Sequence, residues 1–330
     1  MSHSLRAACF SLVAACFLAT AAADARPPIF PAPDKELMVP VEGGRIYVRV
    51  NGRLDGPKPP IVLIHGGPGG THGPLMDALE LSDERAVILY DQLDSGRSDR
   101  PNKPANWTVG RFVNELEAIR KSLGINRWYV LGHSWGGTVA LEYGARKPEA
   151  LAGLILASPL ISTRSWLADA NALVAKLPEP IQAELKACDG PRPPAAEACG
   201  EATKEFYKAY NRREPPSAAL QAYKSPLDHG FNGQLYETMW GKSEFVSTGT
   251  LKNYDGEPLL SKLDGKRTLF IVGQYDEARP VTAAAFADRV PGSELAVVPG
   301  SAHGIFSDRP AETVALLRAW LDRQDAGRNP

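Results

Sequence analysis

The run Gly132-His133-Ser134-Trp135-Gly136-Gly137 lies between the apolar stretch Trp128 to Leu131 and the helix-forming stretch Thr138 to Tyr143. A serine with glycine two residues before and two after it, where a strand gives way to a helix, predicts a turn in which the two backbones pass too closely for a Cβ. Such a turn presents the hydroxyl. Presentation matters because a serine hydroxyl is a poor nucleophile unless it is held beside a base and under donors for an oxyanion. A surface serine in a glycine-rich loop is the bland alternative, and it gives no reason for the strand before the motif or the helix after it.

The rest of the chain repeats this strand-to-helix alternation. Gly44 to Asn51 alternates as a strand, Pro60 to Ile64 and Ala86 to Tyr90 are short buried runs, Val109 to Leu123 carries apolar residues at helical spacing, and Leu151 to Ala157 is again strand-like. Strand character returns at Thr268 to Val272 and Glu294 to Val298, before a closing helix from Ala311 to Arg323. The pattern predicts an α/β fold, a mostly parallel sheet flanked by helices with its ligand site at the carboxyl ends of the strands. Between Leu160 and Pro258 it changes to proline pairs (193–194 and 215–216), few β-branched runs, and the amphipathic stretches Trp166 to Leu177 and Glu201 to Asn211. This reads as a helical cap at 160–258 inserted between core segments at 26–159 and 259–330. No internal repeat is present.

The 330 residues are 44% hydrophobic and 23% charged, enough for one large core with an insertion. A formal net charge of −1 supplies no basic footprint for nucleic acid or a membrane surface, which leaves a small molecule or short peptide as the expected partner. Residues 1–25 read as a secretory leader, with Arg6, an apolar run from Ala7 to Ala23 and the small-x-small site Ala23-Asp24-Ala25. A periplasmic or secreted mature chain without membrane insertion is expected, with a retained anchor or lipid attachment at Cys16 as alternatives. Cys188 and Cys199 then remain in an exported protein, where a disulfide is expected and two free thiols are the alternative. Neither has metal-ligand spacing with a histidine, and no metal or cofactor is expected.

A serine nucleophile needs a base and a group that orients it, in this architecture in the order Ser, Asp, His. Asp276 stands just past the strand TLFIV in Gly273-Gln274-Tyr275-Asp276-Glu277, with Glu277 its nearest rival. His303 follows LAVV in Gly300-Ser301-Ala302-His303-Gly304 and is the expected base. Of the other histidines, His3 leaves with the leader, and His133 adjoins Ser134 with its ring expected to point away from the hydroxyl. His65 is expected to brace a glycine-rich loop, while His72 and His229 read as surface or structural. The loop His65-Gly66-Gly67-Pro68-Gly69-Gly70 follows a buried strand, and the amides of Gly67 and Trp135 are the expected oxyanion donors. A phosphate-binding loop would end in Lys-Ser/Thr, which this one lacks.

HGGPGG at 65–70, DQLDSGRSD at 91–99, GHSWGG at 132–137, MWGKSEFVSTGTLKNYD at 239–255 and GQYDEARP at 273–280 together resemble the proline iminopeptidase family of serine aminopeptidases, over Lys35 to Leu321. The resemblance implies an α/β-hydrolase fold with a helical cap. It also implies cleavage of an unblocked N-terminal residue, often proline, from short peptides, amides or arylamides, with cap carboxylates on the substrate's free α-ammonium. By that resemblance Glu244 is one such carboxylate. The second is expected from an earlier cap helix, at Glu205, with Glu214 in reserve. The family commonly has glycine where this chain has Asp94. Turned into its loop, Asp94 would support the floor of the site; turned to the pocket, it would alter substrate preference. The rivals are an esterase or lactonase on the same scaffold, which fold and triad do not separate, and a binding protein without turnover, against which an intact Ser134, Asp276 and His303 set argues.

Overall fold

The computed structural model describes residues 29–223 and 229–327, so the leader and Cys16 lie outside the described residues. The strands are β1 (Lys35–Val41), β2 (Gly44–Asn51), β3 (Ile61–Ile64), β4 (Val87–Tyr90), β5 (Trp128–His133), β6 (Leu151–Ala157), β7 (Thr268–Gly273) and β8 (Glu294–Val298). They form one sheet in the order β1-β2-β4-β3-β5-β6-β7-β8. The pairs β1·β2 and β2·β4 are antiparallel, and every pairing from β4 onward is parallel. β1 carries little strand signal in the sequence, because Lys35 and Glu36 open it and Pro40 stands near its end. It is the sheet's edge, where proline's missing N–H costs no ladder bond, and it turns into β2 through Glu42 and Gly43, the latter at φ 93°.

The helices are α1 (Val109–Ser122) and α2 (Trp135–Ala145), then α3 (Thr163–Val174), α4 (Glu179–Cys188), α5 (Ala196–Tyr210), α6 (Ala218–Ala222) and α7 (Gly233–Met239) between β6 and β7. After β7 come α8 (Pro280–Asp288), α9 (Ile305–Asp308) and α10 (Pro310–Ala326). Consecutive strand residues face opposite layers. Val62, Ile64, Ile88 and Tyr90 pack with Phe112 and Leu116 of α1 and Val139 of α2. Ile61, Leu63, Val87 and Leu89 pack with Leu317, Trp320 and Leu321 of α10.

The helices between β6 and β7 have a small core of their own, from Ala170, Leu173, Leu185, Ala202, Phe206 and Phe245. Cys188 at the end of α4 is disulfide-bonded to Cys199 in α5, as the sequence led us to expect. The last carbonyls of a helix have no intrahelical partner, and those at the end of α5 find theirs on the core. Tyr210 O accepts from the amides of Glu277 and His303, both at 3.1 Å, and Asn211 O accepts from Gly304 N at 2.7 Å. This inserted segment is thereby fastened to the loops that follow β7 and β8. No helix among the described residues is long and apolar enough to cross a membrane.

Candidate active site

β5 ends at His133 and α2 begins at Trp135, leaving Ser134 alone in the turn at φ 59° and ψ −123°. A non-glycine residue at positive φ is strained and persists only where its surroundings over-determine it. Here they do. Ser134 N donates to Ala157 O at 3.0 Å, and its carbonyl accepts from Gly137 N at 2.8 Å and Leu160 N at 3.0 Å. The flanking glycines are sterically required: a Cβ on Gly132 would lie 2.0 Å from Gly136 O, and one on Gly136 would lie 2.3 Å from Ile64 O.

Asp276 meets His303, which lines the same cavity as Ser134. His303 Nδ1 lies 2.9 Å from Asp276 Oδ1. The rest of that carboxylate is filled by Ala278 N at 2.9 Å, Gly273 N at 3.0 Å and Ser158 Oγ at 2.5 Å. An aspartate accepting this many donors is fixed in place and acceptor-only, which assigns the Nδ1–H tautomer or the imidazolium to His303. The His133 ring lies 4.7 Å from that of His303 and donates through Nε2 to the His303 carbonyl at 2.8 Å. Burial, with the His303 charge, pushes the His133 pKa down to about 3, so this neighbour is a neutral prop.

Three loops at the strand ends are tied to one another. His65 Nε2 accepts from Gln92 N at 3.0 Å, Gln92 Nε2 donates to His65 O at 3.0 Å, and Trp135 Nε1 donates to Gln92 Oε1 at 2.9 Å. His65 thus braces the glycine loop, as expected. A Cβ on Gly66 would lie 2.9 Å from Ser134 Cβ, so this loop lies directly against the serine. Trp135 is the first residue of α2, where a helix N–H has no intrahelical acceptor. Ser134, His303, Gly67, Trp135, Glu244 and Glu277 all line one cavity of about 520 Å³.

Glu244 accepts hydrogen bonds from Trp166 Nε1 at 3.0 Å, Tyr207 OH at 3.1 Å and Tyr236 OH at 2.8 Å. Glu205 is not in this cavity. On α5 the buried residues are Ala202 and Phe206, and a residue next to Phe206 is turned about a quarter of a helical turn away from that face, so Glu205 is exposed beside Lys208 and Arg213. Glu214 is also outside, paired with Arg309 at 3.2 Å. The second carboxylate in the cavity is Glu277, which the sequence suggested only as a rival to Asp276. Its Oε1 accepts from Asn211 Nδ2 at 2.7 Å and lies 3.6 Å from His303 Nε2, while its Oε2 is buried without a partner. Burial, with the charges of Glu244 and Asp276, pushes its pKa up against the attraction of His303, and the two groups titrate as a pair.

The remaining polar residues support the floor. Asp94, at φ 67°, is fully buried and turned into its own loop, where it accepts from Trp107 Nε1 at 2.8 Å and Asn102 N at 2.7 Å. A positive φ explains why glycine suits the position. His72 is structural, and it has a carboxylate partner that spacing alone did not reveal: Nδ1 lies 2.8 Å from Asp91 Oδ1. His229 is exposed.

A strained serine between strand and helix, backed by an Asp–His pair and faced by a glycine loop, defines an α/β hydrolase, and residues 59–310 match the alpha/beta hydrolase fold family. A curated proline iminopeptidase of Heyndrickxia coagulans is 34% identical over 290 residues, 87% of this chain and 98% of its own length. The solved structure of a Mycobacterium smegmatis proline iminopeptidase matches at 30% identity with a TM-score of 0.77, covering 89% of this chain and all of that one. The structure of VinJ matches at 31% identity with a TM-score of 0.79 over the same shares. The chain belongs to the proline iminopeptidase family of serine aminopeptidases.

Proposed function

We propose that the protein releases an unblocked N-terminal residue, proline or another small apolar residue, from short peptides, amides or arylamides. Ser134 Oγ attacks the carbonyl while His303 Nε2 takes its proton, and Asp276 holds the imidazole by accepting from Nδ1–H. The amides of Gly67 and Trp135 hold the oxyanion. His303 then gives its proton to the departing amine, and water hydrolyses the acyl-enzyme by the same route.

The observation that carries the reading is the pair Glu244 and Glu277 in the cavity of the serine. Two carboxylates there, one with a buried oxygen that lacks a donor, form a receptor for a substrate ammonium. They count the distance from the N-terminus to the serine, which makes the action exopeptidic. An ester hydrolase on this scaffold has no use for them, and that alternative is not favoured.

N-acetylation of an aminoacyl arylamide removes the cation and leaves both acids unmatched, so kcat/KM is expected to fall by about 10³-fold or more. A panel of free and acetylated prolyl and alanyl arylamides, run on wild type, Ser134→Ala and Glu244→Gln, tests this. Indifference to acetylation would sink the aminopeptidase reading, and loss confined to Ser134→Ala would remove the ammonium site alone. We also infer export. The leader pattern at 1–25 and the Cys188–Cys199 bond, of a kind that persists in oxidising compartments, support it; N-terminal sequencing of the mature protein should begin near Arg26.

A further inference from the structure

The serine cavity holds, besides its two carboxylates, a guanidinium with no side-chain hydrogen bond or ion pair among the described residues. Arg212 follows Asn211 just beyond α5 and lines the cavity beside His303, Gly304 and Ser307. Its Nε is sealed from solvent without a hydrogen bond, and no carboxylate among the described residues lies within ion-pair distance of it. The neighbouring arginines are committed elsewhere: Arg213 lies over the Tyr275 ring at 4.2 Å, and Arg309 pairs with Glu214. Glu277 forms no ion pair with Arg212; its Oε1 accepts from Asn211 and faces His303.

Arg212 is half-buried, and only its Nε–H is withdrawn from water without an acceptor, which is unfavourable. The rest of the guanidinium lines the cavity without an ion pair and is open to a ligand's anionic group. The position says which part of the ligand. Nε of Arg212 stands 3.8 Å from where a Cβ on Gly304 would be, one residue from the base. The departing amine takes its proton from His303 Nε2, so the departing half of the substrate lies on this side of Ser134. In a dipeptide the carboxylate is two bonds beyond that amine.

We propose that Arg212 binds the C-terminal carboxylate of the departing residue, and that the preferred substrates are free dipeptides held at both charged ends. This rests on the aminopeptidase reading of the same cavity. The carboxylates of Glu244 and Glu277 take the ammonium and Arg212 takes the opposite terminus, a pattern complementary to a zwitterion. A C-terminal amide lacks the charge. A third residue carries the carboxylate about 3.3–3.6 Å farther out, beyond a guanidinium fixed beside Gly304.

The test compares kcat/KM for a dipeptide, its C-terminal amide and the tripeptide one residue longer. Wild type is expected to favour the free dipeptide over both by about tenfold or more, the scale of a charge-assisted pair, with the difference in KM because the carboxylate is bound equally before and during acyl transfer. Arg212→Gln should bring the dipeptide-to-amide ratio to about one, and Arg212→Lys should retain part of the preference. Labelling of Ser134 by a fluorophosphonate reports that each variant is folded. A wild-type ratio near one overturns the proposal whatever the variants do, and so does a preference that survives in Arg212→Gln. Absence of wild-type turnover on every substrate with a free N-terminus overturns the aminopeptidase reading itself, and this inference with it.

Discussion

Glu277 and His303 face each other across 3.6 Å, and that short distance sets the acid–base behaviour of the site. Burial alone would lower the His303 pKa, but the negative charges of Glu277 and Asp276 outweigh it and raise it to about 9. A general base must be neutral, so kcat/KM, which reports free enzyme, is expected to rise as pH climbs toward that value. A bound substrate ammonium brings positive charge to Glu277 and takes over its role as counter-ion. The acidic limb of kcat, which reports the complex, should therefore lie at lower pH than that of kcat/KM. Glu277→Gln removes the largest charge that raises His303, so its kcat/KM limb should move down by about one to three pH units while KM for free substrates increases. Matched pH–rate profiles of the two enzymes check this, and an unmoved limb would show that Glu277 does not hold the imidazolium. Little of this was legible in the sequence. Asp276 and His303 could be read from their order and from the strands before them, whereas the partnership of Glu277 depends on Asn211, which approaches from the far end of α5.

Elements were legible where local sterics or periodicity decide them. The spacing of glycines around Ser134 stated a backbone approach, and the 2.0 Å and 2.3 Å that hypothetical Cβ atoms would leave at Gly132 and Gly136 are that approach in numbers. β2 and β6 fall where alternation and apolar runs put them, because buried strands must satisfy both layers of the core, and β8, an edge strand with Leu295 and Val297 exposed, falls where its apolar run put it. β1 escaped because an edge strand tolerates charge and proline. The segment between β6 and β7 was legible as helical, but not which of its carboxylates reaches the cavity. Choosing Glu205 on α5 required knowing its rotation, and only the burial of Phe206, set by its contact with Phe245 at 4.9 Å, fixes which way the helix faces. A one-residue error on a helix is about 100° of rotation, enough to move a carboxylate from the cavity to solvent.

Across the whole molecule the site is divided between two bodies of unequal strength. Ser134, Asp276 and His303 stand on a sheet whose two layers run the length of the core, while Glu244 stands on a cap with a six-residue core of its own. Local stability follows buried contact, so the cap should open at lower free energy than the sheet. Hydrogen exchange is expected to be slowest in β3, β5 and β6 and distinctly faster in α4 and α5. In urea, turnover of unblocked arylamides should disappear before the far-ultraviolet signal of the sheet. Phe206→Ala sharpens the contrast: truncating a fully buried phenylalanine costs about 3–5 kcal/mol, and the loss falls on the cap. The variant should lose discrimination against N-acetylated substrates, because Tyr207 and Phe245 flank the Glu244 site, while fluorophosphonate labelling of Ser134 persists. A single transition in which exchange, discrimination and labelling vanish together would show instead that cap and sheet fold as one unit. The carbonyls of Tyr210 and Asn211 would then be the joint that makes them so, since through them the cap holds the backbone of His303 and Gly304.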